Sequence, residues 1–501
     1  MKEDRKRIPL LLLVADVICV IMAYGMLYRQ QFGSDTLFRM LYPEGDIGGA
    51  LDHARYGSYL LAELLLHLGI QITDYYKLFY GIFVLAIIAD IFMIQRMFLP
   101  FFEKRLEASG QAGWLGYLVC TALPFANVLF IENFMFPEYH INYAIAYTLA
   151  VAGAWLLGRR RWLPGLLCTV VACVFYQTVL IPMAMLVTAY MVLEADFTLS
   201  GALVRRVMLT DVVILLIGLA DNQSSRLIPS LNGVSKKISM DLPETMRYLA
   251  HELRSLCQSS LGLMPGIWVP GLVFLLSALL LGWGVLRTWK REKRENSMIW
   301  TAVLLILAET LLFLLLPVLS GYGGFYPRVV WPFYMYVALL MLTGAYHIWD
   351  DGNAGSMKLL PGIMVGGFLV LQVFCCQMIS ENRYISNTLD LVYARAVNRE
   401  ITDYEARTGN RVTKVAIEID GECPRYYEGM VRYCRDQINE RTIAVTPYCL
   451  LEYVNGADIR LTHVDMDKKI WKAHFADGNW DEFNPGEQLY FEGDTLYWVV
   501  F

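Results

Sequence analysis

A chain of 501 residues that is 56% hydrophobic, 18% charged and net −5 has no basic patch for nucleic acid, and its apolar residues lie in long runs rather than periodic stripes. Runs of about 18 or more apolar residues can cross the hydrocarbon as helices, and only helices or closed barrels satisfy their backbone there. These runs are too long and continuous for barrel strands, which predicts a polytopic α-helical membrane protein.

The basic start up to Arg7 and the apolar run Ile8–Tyr28 have the charge layout of a signal peptide. The run is too long, however, and no small-x-small site precedes its polar flank, so it reads as a retained first helix. Further spans are predicted at Leu78–Leu99, Trp114–Ile131, Tyr139–Leu157, Leu163–Tyr176, Thr178–Leu193, Val207–Ala220, Leu261–Leu286, Met298–Leu319, Val330–Ile348 and Leu359–Met378. That makes about eleven. Lys104 and Arg105, Arg159 to Arg161, Arg205 and Arg206, and the run Arg287 to Arg294 fall in alternate loops, which the positive-inside rule makes cytoplasmic. The expectation is a multi-pass protein of the cell membrane with its N-terminus inside. Residues 1–379 form the membrane domain, and residues 380–501 form a small extracytoplasmic α/β domain. Most cysteines fall in spans as small apolar residues, while Cys423, Cys434 and Cys449 lie in the tail, where one pair could bridge.

The loop after the first span, Gln31 to Ile72, concentrates acids, arginines and glycines. Asp35 follows the apolar run by a few residues, so its carboxylate is expected at the outer membrane surface, where it can act as a base. Arg39 lies four residues on and Arg55 three after Asp52, spacings that place acid and base on one helical face. The plain alternative is a charged loop that only turns and stays hydrated. His53 to Ile70 reads as a helix lying at the surface.

Between the third and fourth spans, Glu132, Glu138 and His140 crowd a short connection. Their oxygen and imidazole groups suit a divalent ion or acid-base work, and equally suit a polar turn. Tyr176-Gln177 marks a break between two short spans, where Gln177 can meet a sugar hydroxyl or the backbone. Residues 241–256 read as a helix capped by Asp241, with Arg247, His251 and Arg254 on one basic face. Arg328 closes a glycine- and aromatic-rich turn before the tenth span, a phosphate grip or an anchoring turn. Asp16, Asp90, Asp211 and Glu309 fall within predicted spans, where ionisable groups suggest a site by default.

The tail reads as a long helix from Glu381 to Thr408, a strand from Val412 to Ile419, a helix at Tyr426–Asn439, a short strand at Ile443–Thr446, and two terminal strands about Gly493-Asp494. It is sized for a lid or acceptor-docking module. No zinc, nucleophile-elbow, Walker or dinucleotide motif occurs, and no repeat of fixed period. The predicted inner loops are too short for a cytoplasmic nucleotide-sugar domain, so a sugar donor would be carried by lipid.

The Ser34-Asp35-Thr36 segment, the following Arg55-Tyr56-Gly57, the Tyr176-Gln177 break, Arg328 in a late loop and the α/β tail resemble the phage-type O-antigen glucosyltransferases (glucosyltransferase family II). These look like members of the GT-C class, which uses polyprenyl-phosphate sugars. The resemblance implies a GT-C-like enzyme that moves a hexose, glucose in this family, from a polyprenyl-phosphate donor to a cell-surface glycan or its lipid-linked precursor. By position Asp35 matches the catalytic base. Many members carry two adjacent acids there, whereas this chain has Ser34-Asp35, which leaves Asp46 and Asp52 open. Arg55, Arg328 and Arg254 would stabilise the leaving phosphate, with Arg39, Asp52, Glu132 and Gln177 as further substrate contacts. Glu138 and His140 would orient the acceptor or hold a divalent cation. Two other readings remain: a lipid or glycan transporter or flippase resting on Asp90 and Glu309, and a glycan polymerase.

Overall fold

The computed structural model describes residues 2–29, 32–42, 50–51, 54–224, 242–292, 296–320, 325–349, 355–419, 426, 431–434, 438–456, 460–478, 480 and 482–500. Its helices are α1 (Lys2–Tyr24), α2 (Ser34–Leu41), α3 (Tyr56–His67), α4 (Tyr76–Ala122), α5 (His140–Gly158), α6 (Trp162–Phe175), α7 (Leu180–Glu194), α8 (Gly201–Ser224), α9 (Leu242–Ser259), α10 (Val269–Glu292), α11 (Ser297–Ser320), α12 (Pro332–Trp349) and α13 (Leu360–Thr408). Among the described residues, 8 helical segments are long and apolar enough to cross a membrane, so the protein is a multi-pass membrane protein. The difference from the expected number has local causes. The runs expected at 78–99 and 114–131 share α4, broken at Gly110, whose φ of 64° favours glycine. Helix α6 has only 14 residues, and α8 carries Arg205, Arg206, Asp211 and Asp221.

Helices α7 and α12 are apolar on every side and buried along their length, as a bundle's central helices must be. Close approach needs small residues. A Cβ on Gly344 of α12 would meet the Leu281 amide nitrogen of α10 at 2.8 Å, and one on Gly153 of α5 would meet Met183 at 2.7 Å.

The run expected to continue to Ile131 leaves the helix at Ala122 and winds through buried turns. Buried irregular backbone survives only with its polar groups paired. Asn127 supplies much of this: its Nδ2 donates to the Leu123 and Pro124 carbonyls (2.9 Å each), and its Oδ1 accepts from the Leu129 and Phe130 amides (3.0 Å each). The Tyr24 hydroxyl donates to Phe125 O at 2.7 Å and accepts from Asn127 N at 3.0 Å. These bonds fix the turns that present Glu132 and Glu138.

Helix α13 runs unbroken for 49 residues, roughly 73 Å, against about 30 Å of hydrocarbon. The change of composition at Ser380 therefore falls inside one helix, which carries its membrane half directly into the C-terminal part. There, β1 (Lys414–Ile419), β2 (Thr462–Val464), β3 (Leu489–Glu492) and β4 (Thr495–Val500) form a sheet in the order β2-β1-β4-β3. β1 runs parallel to both neighbours, while β3 and β4 form an antiparallel hairpin. Gly493 turns that hairpin with φ 60°. Lys414 and Thr413 bond the next residue, Asp494, and hold its carboxyl below the usual range. Helix α14 (Pro447–Val454) packs against α13 and α2.

Two expectations for the tail are corrected. Residues 442–445 form a helical turn rather than a strand, and the described residues of 426–439 are not helical. β-Branched residues suggested a strand at Ile443–Thr446, but Pro447 follows and begins α14. Cys449 is a buried thiol outside any disulfide, and Cys423 lies outside the described residues.

Candidate functional site

Helix α2 is short and amphipathic, with Asp35 in its first turn and Arg39 in its last, each at the pole that suits its charge. Asp35 is exposed and Arg39 half-buried. The buried side of the helix reaches the turn before α5: Thr36 Oγ1 donates to Glu138 Oε2 at 3.0 Å. Arg39 Nη2 donates to the Tyr139 hydroxyl at 2.6 Å, with its guanidinium 4.4 Å from that ring's centroid. Asp35 and Arg39 are both charged neighbours of Glu138.

Arg55 comes to the same ring from the start of α3. Its guanidinium stands 5.5 Å from the Tyr139 centroid and 5.3 Å from that of Tyr176. Two arginines thus share one tyrosine, an arrangement that desolvates the guanidinium faces and leaves their edges to hydrogen-bond. Arg55 Nε is buried and has no hydrogen-bond acceptor among the described residues. The Arg55-Tyr56-Gly57 order has a steric reason, because a Cβ on Gly57 would lie 2.8 Å from the Phe175 ring. With glycine there, α3 closes onto the end of α6, and Ser58 Oγ donates to Phe175 O at 3.1 Å.

A cleft opens between α3, the segment 70–73, α2 and the start of α5, enclosing about 630 Å³ of space that includes open solvent. One wall is apolar, with Ala62, Leu66, Ile70 and Ile72, and the other carries Arg39, Glu138, Tyr139 and Asn142. The far side of α3 exposes Leu60, Leu64 and Leu68.

The remaining expected site residues divide. Arg328 pairs with Glu132 through its guanidinium, and its backbone amide donates to Glu132 Oε2 at 2.7 Å. Glu132 is fully buried, and the Arg328 guanidinium lies 5.0 Å from Phe136 and 4.7 Å from Tyr326. Both residues adjoin the cluster, since Arg328 and Glu132 are electrostatic neighbours of Tyr176, as is Arg55. Gln177 Nε2 donates to Asp221 Oδ2 at 2.8 Å, which ties the α6–α7 break to α8. His140 turns into the core: its Nε2 meets Phe134 O at 3.1 Å and its ring stacks on Phe83 with centroids 5.5 Å apart. Arg254 lies on the exposed face of α9. Asp46 and Asp52 lie outside the described residues.

His140 is thus separated from Glu138 as a ligand partner, and no three His, Cys, Asp or Glu groups among the described residues gather to hold a metal ion. Within the bundle, Asp90 and Glu309 are fully buried and have different neighbours, Thr148 for the first and Asp211 for the second.

Three participants escaped the sequence reading. Tyr139 and Tyr176 form the aromatic platform, which only their proximity reveals, although each adjoins a motif residue. Arg383 of α13 is buried among Asp390, Glu440 and Glu138 as charged neighbours. An arginine one turn past an apolar span reads as an interfacial anchor, and only the depth of α13 against the α2 region distinguishes it.

Fold and cleft define a class: a multi-pass membrane protein with a cleft of mixed apolar and polar walls, Arg39 and Glu138 among them, where several helices end. The family model described as Glucosyl transferase GtrII matches residues 14–344, and the chain belongs to that family. It is a membrane glucosyltransferase. No curated protein and no solved structure matches it. The match takes in α2, α3 and the Tyr139 region, and stops before α13 and the sheet.

Proposed function

We propose that this glucosyltransferase takes glucose from a polyprenyl-phosphate donor and places it on a cell-surface glycan or its lipid-linked precursor, outside the cytoplasm, with a GT-C-type site around Asp35. The observation that carries the reading is Arg55: a guanidinium flanked by two tyrosine rings, its buried Nε lacking an acceptor among the described residues, on the ring that also carries Arg39. Such a site suits a phosphate oxygen. The mixed walls of the cleft suit a ligand with an anionic head and an apolar chain, and the exposed leucines of α3 suit a helix at the bilayer surface.

In this mechanism the acceptor hydroxyl oxygen attacks the anomeric carbon as the bond from that carbon to the phosphate oxygen breaks. The electron pair leaves with polyprenyl phosphate, whose charge Arg39 and Arg55 stabilise. Asp35 takes the acceptor proton, a contribution of about 10²–10⁴ in rate for a positioned general base. Glu138, held by Thr36, keeps Arg39 oriented. Arg328 is neutralised by Glu132 and fixes the frame around Tyr176.

The test is glucose transfer by the detergent-solubilised chain from a short-chain polyprenyl-phosphate glucose to lipid-linked oligosaccharide. Release of polyprenyl phosphate together with glucosylated product is expected. Transfer from a nucleotide-linked glucose instead would overturn the donor assignment.

A further inference from the structure

Helix α2 stands between the first two apolar spans in sequence, yet its apolar side belongs to another core. Phe32, Leu37 and Leu41 are buried with Ala394 and Val397 of α13, Cys449 and Leu450 of α14, and Trp498 of β4. Its polar side reaches the membrane half through Thr36 and Arg39. The helix has no side-chain cap at its N-terminus, so outside contacts determine where it starts. Asn387 of α13, 3% exposed, grips the backbone of Phe32 in both directions: Phe32 N donates to Oδ1 at 3.1 Å, and Nδ2 donates to Phe32 O at 2.9 Å. At the other end, Arg460 Nη2 donates to Leu41 O at 2.5 Å. The Tyr42 hydroxyl donates to Glu452 Oε2 at 2.8 Å, and Glu452, fully buried, also accepts from Leu461 N at 2.7 Å.

We propose that the C-terminal part of the chain is a clamp that sets the position of α2 for transfer, with Asn387 and the Glu452–Arg460 pair as its positioning residues. These residues lie beyond the 14–344 family match, whereas α2 lies within it. The clamp holds both ends of an eight-residue helix whose first turn carries Asp35. A shift of about 1 Å in a reacting group can cost roughly a hundredfold in rate, so this grip bears on turnover more than on substrate affinity. The proposal rests on the reading that α2 carries a reacting group.

The test compares full-length Asn387→Ala and Arg460→Ala with wild type by amide hydrogen exchange and by transfer kinetics. Arg460 is half exposed as a side chain but pairs with the buried Glu452, so thermal unfolding of each variant is measured beside wild type and kinetics are normalised to folded protein. Asn387→Ala is expected to speed exchange across residues 34–41 about tenfold or more, with the span amides unchanged. The same variant should lower kcat about tenfold with donor KM within about twofold. Arg460→Ala should move both readouts the same way by about threefold, and Arg460→Lys, which keeps one donor for Leu41 O, should recover most of the loss. Unchanged exchange in α2 would overturn the clamp, as would faster exchange with unchanged kcat. Asp35→Asn separates the two ideas. Full activity in that variant, beside a kcat loss in Asn387→Ala, would sink Asp35 as base and leave the clamp standing.

Discussion

Two sets of acids in this molecule are surrounded differently. Inside the bundle, Asp16 accepts from Gln95 at 3.0 Å, Asp211 accepts from the Thr188 hydroxyl at 3.1 Å, and Glu309 has Asp211 for its charged neighbour. Around α2, Glu138 has both Asp35 and Arg39 as charged neighbours, while Arg55 and Arg328 stand on neighbouring rings. Buried acids among hydroxyls and amides can be stored as polar links between helices. Acids beside arginines, with one carboxylate exposed, can exchange a proton with a ligand while the cations hold its charge. On the proposed reading, burial alone does not mark the chemistry, although an ionisable residue in a span invites that conclusion.

The largest expected effect comes from Asp35→Asn, which should lower turnover about 10²–10⁴-fold with normal folding, as polyprenyl phosphate release per folded molecule will show. Next is Arg55→Ala. Losing charge-assisted bonds to a phosphate should raise donor KM roughly tenfold to a hundredfold in saturation kinetics. Lysine at the same position should not restore affinity, since it cannot stack between Tyr139 and Tyr176. Gly344→Ala tests the scaffold. The added methyl meets backbone of α10, with Leu281 N at 2.8 Å, and should destabilise by about 1–3 kcal/mol. Thermal unfolding in detergent should move down while kinetics per folded molecule stay the same. The smallest effect is expected from Asp211→Asn, whose amide still accepts from Thr188, with transfer within about twofold of wild type. A large loss there would erase the contrast between the two sets.

Much of the scaffold was legible because apolar runs in a membrane have few alternatives. Most of the expected spans fall on helices, except residues 123–131 and 261–268, and the α3 helix, the 242–259 helix, strand β1 and the terminal hairpin all appear. What misled were features set by long-range packing. Residues 442–445 have strand-forming side chains but are turned by their contacts with α13 and the start of α14. The division at Ser380 follows composition, whereas α13 passes through it without a break. At the site, Asp35, Arg39, Arg55 and Glu138 were chosen from density and spacing, and the fold brings them to one place. His140 was chosen by the same density, but one residue beyond Tyr139 on a helix points elsewhere, into Phe83 and Phe134. The rings of Tyr139 and Tyr176 and the grip of Asn387 could not be read, because each depends on partners far away in the chain, from Arg55 against Tyr139 to Phe32 against Asn387, 355 residues apart.

The most direct measurement places the two sets of acids side by side: polyprenyl phosphate release from polyprenyl-phosphate glucose by purified Asp35→Asn and Asp211→Asn, each normalised to folded protein. Asp35→Asn is expected to lose nearly all turnover while Asp211→Asn keeps it. The reverse order, with Asp35→Asn active and Asp211→Asn dead, would move the chemistry into the bundle and contradict the assignment of the cleft.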